Sequence, residues 1–335
     1  MVRKHVTIGV DLGGTKLLAG IVDREGHVSS LQRWPARVSD YDQSLTAIAD
    51  LVTQLRREIE QRGDTVIAVG VAIAAFLTAD RERVRDATNL VGWRDRPFRA
   101  ELAARLGLPV VIENDGDAAV WGEYTHGAAS GERCVAMATV GTGIGGGVVI
   151  DGNLISGGSG LAGEIGHLQV VPNGRTCGCG ARGCLEAYAS GTALAQAARA
   201  AAAADPVGAR QLLDRAGGDP ERIDGPAVTA LALEGDPLSR RVIAELGAWL
   251  GTGLAQVTAV LDPSVIVLGG GLVDAAGELI VEPARTAYTS ALSIRAVRQV
   301  APLRAAELGN AAGLVGAGAR AATAAAGLPT ASAVD

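Results

Sequence analysis

Lysine is almost missing from this chain: Lys4 and Lys16 are the only two in 335 residues. The scarcity bears on GTGIGG at 141–146, which with Val148 fits the glycine loop of protein kinases. No lysine follows it to meet the phosphates, so that reading fails. The same residues satisfy G-x-G-x-x-G but run on into GVVIDGN, a strand and turn where the dinucleotide fingerprint requires a helix. No G-x-x-x-x-G-K-[ST] segment occurs, which excludes a Walker phosphate loop. Long apolar runs are missing too. Nowhere do about 18 uncharged apolar residues follow one another, and the basic start reaches Asp11 before a signal-peptide stretch accumulates. A cytoplasmic protein that meets no membrane is expected. With a net charge of -6 and a pI near 5.4 there is no excess of positive charge to cover a phosphate backbone, so no nucleic acid is expected as a partner. Cysteine is scarce as well, yet three of the four stand within RTCGCGARGCLE at 175–186. In a reducing compartment such a cluster reads as metal ligands rather than disulfides.

The chain is 48% hydrophobic and 20% charged, and its length suffices for two modest domains, each with a core. HVTIGVDLGGTKLLAGIVDREG reads as a β-branched strand, a Gly/Thr turn at Gly13 to Lys16, a second strand and a turn at Asp23 to Gly26. CVAMATVGTGIGGGVVIDGN repeats that pattern, with its turn at Gly141 to Gly147. A third strand, SVIVLGGGL, ends in Gly269, Gly270 and Gly271. Between them lie helical segments such as SLTAIADLVTQLRREIEQRG, stopping at Gly63. The alternation points to an α/β protein, and the repeated hairpin to two related halves. Glycine turns beside strands let backbone amides approach phosphate oxygens. Asp11 beside the first turn can hold Mg²⁺ through water while the hydroxyls of Thr15 and Thr142 meet phosphate.

DLGGTK, ENDGDAA, GTGIGGG, GEIGH and CGCGARGCLE, in this order, resemble the ROK family of sugar kinases, from about residue 6 to the GNAAGLVGAG segment near 318. The resemblance implies an actin-like ATPase (ribonuclease H-like) α/β fold of two lobes with ATP and sugar meeting in the cleft between them. It places a small lobe over 1–115, a large lobe over 116–308 and a C-terminal helix, about 309–325, packed back on the small lobe. The implied reaction is phosphorylation of the 6-hydroxyl of D-glucose by Mg·ATP. Alternatives are another hexose or an amino sugar (mannose, fructose, glucosamine, an N-acetylhexosamine), or a catalytically silent sugar-sensing regulator. DNA-binding members carry a helix-turn-helix ahead of the kinase-like body, whereas VTIGVDLGGTK stands close to Met1, so such a regulator is not expected. ATP is expected rather than polyphosphate, and relatives suggest a homodimer or homotetramer.

Site residues follow. Cys177, Cys179 and Cys184 with His167 supply three thiolates and one imidazole, a closed tetrahedral set suited to structural Zn²⁺. The second ring nitrogen of His167 can face a sugar hydroxyl. Glu164, Glu186 and Asn89 resemble the family's other sugar contacts, and Trp93 reads as packing. In VVIENDGDAAVWGE a strand ends at Asn114 and Asp115 where a helix starts, a place at which α/β proteins bind ligands. Asp115 is read as the general base and Asn114 as a holder of neighbouring hydroxyls; the plainer alternative for Asp115 is a helix N-cap. Gly13, Gly14, Thr15, Lys16, Gly141, Thr142, Gly143 and Gly269 to Gly271 are assigned to the nucleotide. The chain departs from its relatives at Ala75 (usually Gly), Thr78 (usually Asp) and Asp117 (commonly Asn). Asp117 is expected to add negative charge beside Asp115, raising its pKa or attracting a cationic sugar. Cys134 is read as an ordinary buried thiol.

Overall fold

A computed structural model describes residues 4–327, except 14–15, 36–39, 88–89, 91 and 295. In chain order the first elements are β1 (His5–Leu12), β2 (Lys16–Val22), β3 (Val28–Pro35), α1 (Tyr41–Gln61), β4 (Thr65–Ile73), β5 (Phe76–Leu77), β6 (Val84–Asp86), α2 (Phe98–Leu106), β7 (Val110–Asn114) and α3 (Asp115–His126). There follow β8 (Cys134–Val140), β9 (Ile144–Ile150), β10 (Asn153–Leu154), α4 (Glu186–Ala189), α5 (Gly191–Ala204), α6 (Arg210–Arg215), α7 (Gly225–Glu234) and α8 (Pro237–Leu261). The chain closes with β11 (Val265–Gly269), α9 (Gly271–Ala276), α10 (Glu278–Ala291), β12 (Leu303–Ala305) and α11 (Ala312–Ala325).

Among the described residues two five-stranded sheets form, ordered β3-β2-β1-β4-β7 and β10-β9-β8-β11-β12. In each, a hairpin leads and the next long strand joins beside its first member, so the internal repeat seen in sequence is a repeat of topology. In the first sheet β1 pairs antiparallel with β2 and parallel with β4, which pairs parallel with β7. Pairing covers both edges of β1 while α1 and α11 cover its two faces, which is why HVTIGVDL is buried along nearly its whole length.

The chain forms two compact units: residues up to 137 with 147–163 and 306 onward, and residues 138–146 with 164–305. These do not coincide with a cut at 115. The physical reason lies in α3, which keeps company with the N-terminal residues because α11 packs on it and because Gly147 seats against its first turn; a Cβ there would lie 2.8 Å from the Gly116 carbonyl.

In the first unit α1 presents Leu45, Ile48, Leu51, Val52, Leu55 and Ile59 at helical spacing to the sheet. Asp40 caps it by accepting the Gln43 amide, and Gly63, at φ 81°, lets the chain leave it. Each such fully buried aliphatic side chain contributes about 1.5–3 kcal/mol. Trp93, Tyr41 and Phe98 join this core as a cluster of tilted and edge-on rings. Trp93 is fully buried, so its reading as packing agrees with its place. Against other parts of the unit lies α11, whose backbone comes unusually close. A Cβ on Gly9, Gly70 or Gly316 would sit 2.2, 1.8 or 1.7 Å from the carbonyl oxygens of Leu314, Ala317 and Ala118. Glycine is required at each of these places.

In the second unit, segment 195–245 forms most of α5, then α6, α7 and the start of α8. Gly247 and Gly251 bring α8 against the carbonyls of Ile280 and Ala284 of α10, and Thr258 and Tyr288 share a hydrogen bond of 3.1 Å between the same helices. No helix among the described residues is long and apolar enough to cross a membrane.

Gly316→Ala is expected to destabilise the chain by about 1–3 kcal/mol or more, since helix or carbonyl must move to admit the methyl. Gly158→Ala, where the methyl meets nothing within 4 Å, is the control. Thermal unfolding of both decides; equal midpoints would contradict the close packing of α11.

Candidate active site

In the first unit β1 ends beside a glycine turn closed by a 3.0 Å hydrogen bond from the Gly13 amide to the Lys16 carbonyl. Asp11, near the end of β1, faces the start of α11, where a Cβ on Gly313 would stand 3.4 Å from its carboxylate. Lys16 donates through Nζ to Oδ1 of Asn310 at 3.3 Å, so the ends of the chain meet at this turn. Burial and the neighbouring Asp115 push the Asp11 carboxyl up to about 7, against a smaller lowering by Lys16.

Asp115 is the first residue of α3. The N-cap is Asn114, whose Oδ1 accepts from the amides of Gly116 and Asp117, while its Nδ2 donates to the Ala75 carbonyl at 3.2 Å. The capping role considered for Asp115 therefore belongs to its neighbour, leaving the Asp115 carboxylate with the Gly116 amide at 3.0 Å. Burial raises the Asp115 pKa, opposed by the amides and Asn114.

Farther along α3, fully buried Glu123 accepts from the amides of Ala128, Glu307 and Leu308 at 2.8–3.1 Å, fixing the chain that enters α11. Gly127 must be glycine for this, since a Cβ would lie 2.2 Å from the same carboxylate.

In the second unit the turn at Gly141 to Gly143 is held by its own 2.9 Å hydrogen bond and by the start of α5. Gly191 donates to the Gly141 carbonyl at 2.7 Å, and the Thr192 hydroxyl to the Thr142 carbonyl at 2.8 Å. Gly270, at φ 93°, follows β11 so close to Val140 that a Cβ would stand 2.6 Å from its backbone. Glu186, opening α4, accepts the Ile144 amide at 2.9 Å through Oε2, and Oε1 lies 3.6 Å from Cys177 Sγ. It thus spans the glycine turn and the cysteine loop.

Donor atoms of His167, Cys177, Cys179 and Cys184 all lie within 4.8 Å of one another. Cys179 Sγ stands 3.8 Å from Cys184 Sγ, and Cys177 Sγ stands 3.8 Å from His167 Nδ1. A tetrahedron with bonds of about 2.3 Å has edges of about 3.8 Å, so the spacing fits a four-coordinate soft cation. Nδ1 turns to the thiols, and Nε2 lies 3.9 Å from Glu164 Oε2. Burial pushes the Cys177 thiol up to about 12 and raises Cys184 also, whereas Cys179 is lowered, chiefly by the Ala181 amide. A bound divalent ion would invert this and deprotonate all three.

The sequence profile of the ROK family matches residues 7–324. The chain belongs to the ROK family. A glucokinase of Streptomyces coelicolor is 43% identical over 312 residues, 93% of this chain and 96% of that protein. A crystal structure of a ROK family glucokinase from Streptomyces griseus in complex with glucose and AMPPNP superposes with a TM-score of 0.84 at 41% identity, covering 95% of this chain and 99% of that one. An N-acetylmannosamine kinase of Salmonella typhimurium is 35% identical over 274 residues, 82% of this chain and 85% of that protein. The fold is accordingly the actin-like ATPase fold of ROK kinases.

The ROK chain's expected site residues thus gather in two sets: Asp11, Lys16, Asn114 and Asp115 in one unit, and Gly141 to Gly143, Glu164, His167, Glu186, Gly269 to Gly271 and the cysteines in the other. Asn89, Gly14 and Thr15 lie outside the described residues. Two expectations are corrected. Asp117 is buried and its Oδ2 accepts from Arg81 at 2.6 Å, so its charge is balanced and is no bait for a cationic sugar. Cys134, opening β8, is only partly buried. Sequence reasoning passed over Arg81, Glu113, Glu123 and Arg320. The available signals were a glutamate ending the apolar VVIEN and another on the wholly buried side of α3.

Asp11 is expected to titrate in NMR with a midpoint near 7, and Asp115→Asn to bring it down; an unmoved midpoint would contradict the coupling. Because the folded chain holds this proton more tightly than an unfolded one, the group's stabilising contribution is complete below the ordinary value of 3.8 and is lost as the pH climbs through about 7.

Proposed function

We propose that the chain is a glucokinase, transferring the γ-phosphoryl group of Mg·ATP to the 6-hydroxyl of D-glucose. The observation that carries this reading is the junction of β7 and α3. There Asn114 takes the capping role and leaves the Asp115 carboxylate at a strand end with a raised pKa, as a general base requires. The Streptomyces relatives supply the sugar and the nucleotide class.

In this scheme Asp115 accepts the proton of the sugar 6-hydroxyl as that oxygen attacks phosphorus in line. Phosphoryl transfer passes through a loose transition state, so orientation and charge neutralisation contribute more than the base alone. Asp11 would be the residue to hold Mg²⁺, whose charge would favour the ionised form of a carboxyl that burial otherwise pushes up to about 7. Lys16 and the amides of the turns at 13–16, 141–143 and 269–271 meet the nucleotide. The second amide hydrogen of Asn114, together with Glu164, Glu186 and His167 Nε2, orients sugar hydroxyls. His167 and the three cysteines would hold Zn²⁺ in a structural role, since three thiolates and an imidazole leave no open position. Bound there, it would fix the ring of His167 and, because Cys177 lies 3.6 Å from Glu186, the neighbourhood of that glutamate.

ADP release is measured with Mg·ATP against glucose, mannose, fructose, glucosamine, N-acetylglucosamine and N-acetylmannosamine. Glucose is expected to dominate, and Asp115→Ala to lower kcat by about 10²–10⁴-fold. Preference for N-acetylmannosamine would replace the substrate assignment, and an active Asp115→Ala would remove the base. Metal analysis is expected to find one zinc per chain, lost in Cys179→Ala, with a raised KM for glucose as the consequence.

A further inference from the structure

Four buried ionic groups surround the strand end that carries Asp115. Glu113, 1% exposed, accepts from Arg81 Nε through one carboxylate oxygen and from Arg320 Nε through the other, both at 3.0 Å. The same Arg81 donates at 2.6 Å to Asp117 Oδ2 and at 3.2 Å to the Gly160 carbonyl. Arg320 lies over the Trp121 ring, 5.0 Å from its centre. Two positive and two negative charges cancel.

Such a cluster is not explained by stability, because desolvating four charges roughly offsets their mutual attraction. A second cost is paid at the same residue. Arg81 adopts φ 57° in the tight turn between β5 and β6, where the amides of Arg81 and Glu82 and the Thr78 hydroxyl are all engaged locally. Glycine or asparagine would sit there with less strain, and strain of this kind gathers where geometry matters. What the arginine gains is reach. Its fork joins three segments: β7 through Glu113, the first turn of α3 through Asp117, and the segment 157–163 through Gly160. Glu113 and Asp117 are each two residues from Asp115, and Gly160 precedes Glu164 by four positions in the chain. Gly160 is pressed into the Arg81 turn, at φ 81°, with a hypothetical Cβ only 3.0 Å from the Leu77 carbonyl and 3.1 Å from Arg81 itself. The loop holding Arg81 also carries Ala75, whose carbonyl takes the Asn114 amide.

We propose that Arg81 is a positioning residue for phosphoryl transfer, locking the Asn114–Asp115 junction to the segment that leads into Glu164, with Asp117 as its dedicated counter-charge. The inference rests on the glucokinase reading above and deepens it: Asp117 serves Arg81 and not the sugar.

The test compares wild type with Arg81→Lys, Asp117→Asn, Asp117→Ala and Gly160→Ala. Steady-state constants for glucose and for ATP are read beside amide hydrogen exchange over 114–117 and 157–163. A lysine ammonium cannot serve three partners in different directions. Arg81→Lys is therefore expected to raise KM for glucose and lower kcat, each about tenfold, while KM for ATP stays within about twofold, the mark of a misplaced rather than a missing group. Asp117→Ala and Gly160→Ala should behave alike, and Asp117→Asn, which keeps an acceptor, should stay within about threefold of wild type. Exchange should quicken in both segments together. If the variants lose only thermal stability or active fraction, with both KM values unmoved, the network is merely structural and the inference falls. It falls equally if exchange quickens in one segment alone. A wild type that phosphorylates no hexose would sink the glucokinase reading, while the exchange data still decide whether Arg81 ties the two segments.

Discussion

The geometry of the first unit depends on a helix coming closer to its neighbours than side chains would permit. Carbonyl oxygens of α11 and α3 occupy the space where side chains of Gly9, Gly70 and Gly316 would stand. The close approach brings two polar side chains of the C-terminal segment to the N-terminal elements, Asn310 to Lys16 and Arg320 to Glu113, and sets the backbone at Gly313 against Asp11. Glu123 secures the approach from the other end by capturing the amides of Glu307 and Leu308. Remove the glycines and the polar residues no longer meet. Packing here sets electrostatics, because the burial of Asp11 that raises its pKa is in part burial by this helix segment.

Each of the two carboxylates beside Asp115, Glu113 and Asp117, is matched to arginine, whereas Asp11 and Asp115 have no arginine: Asp11 meets the charges of Asp115 and Lys16, and Asp115 the Gly116 amide and Asn114. That contrast sorts the acidic residues by task. The arginine-paired carboxylates are fixed in place, whereas burial raises the pKa of Asp11 and Asp115, the condition that the proposed proton transfer and cation binding call for. In the second unit Glu186 occupies an intermediate position, with one oxygen engaged by the glycine turn and the other turned toward the cysteine loop.

Much of this was legible in the sequence because it is local. The hairpins announce themselves through apolar strands broken by Gly and Thr, and the cysteine cluster lies within eight consecutive residues. The helix after Asn114 follows from an Asx residue at a strand end. What escaped is long-range. Glu123 meets partners 184 and 185 positions away, and Glu113 meets Arg320 across 207. No periodicity signals such a pair, and a buried glutamate looks in sequence like any other. Asp117 was misread for the same reason: its neutralising partner, Arg81, lies in a turn that the local pattern does not connect to it. That α3 groups with the N-terminal residues is equally long-range, since the helix packed on it stands at the far end of the chain.

The dependence on α11 also fixes an order of maturation. During synthesis β1, β4 and α3 emerge early, but the face that α11 covers stays bare while residues up to 312 are added, on the order of ten to forty seconds at ordinary rates of translation. The second unit, drawn from 138–146 and 164–305, has its last residue made before α11 begins. The nascent chain therefore ripens in reverse: the part made first is finished last, and the Arg320–Glu113 pair beside the β7–α3 junction forms only after α11 has left the ribosome.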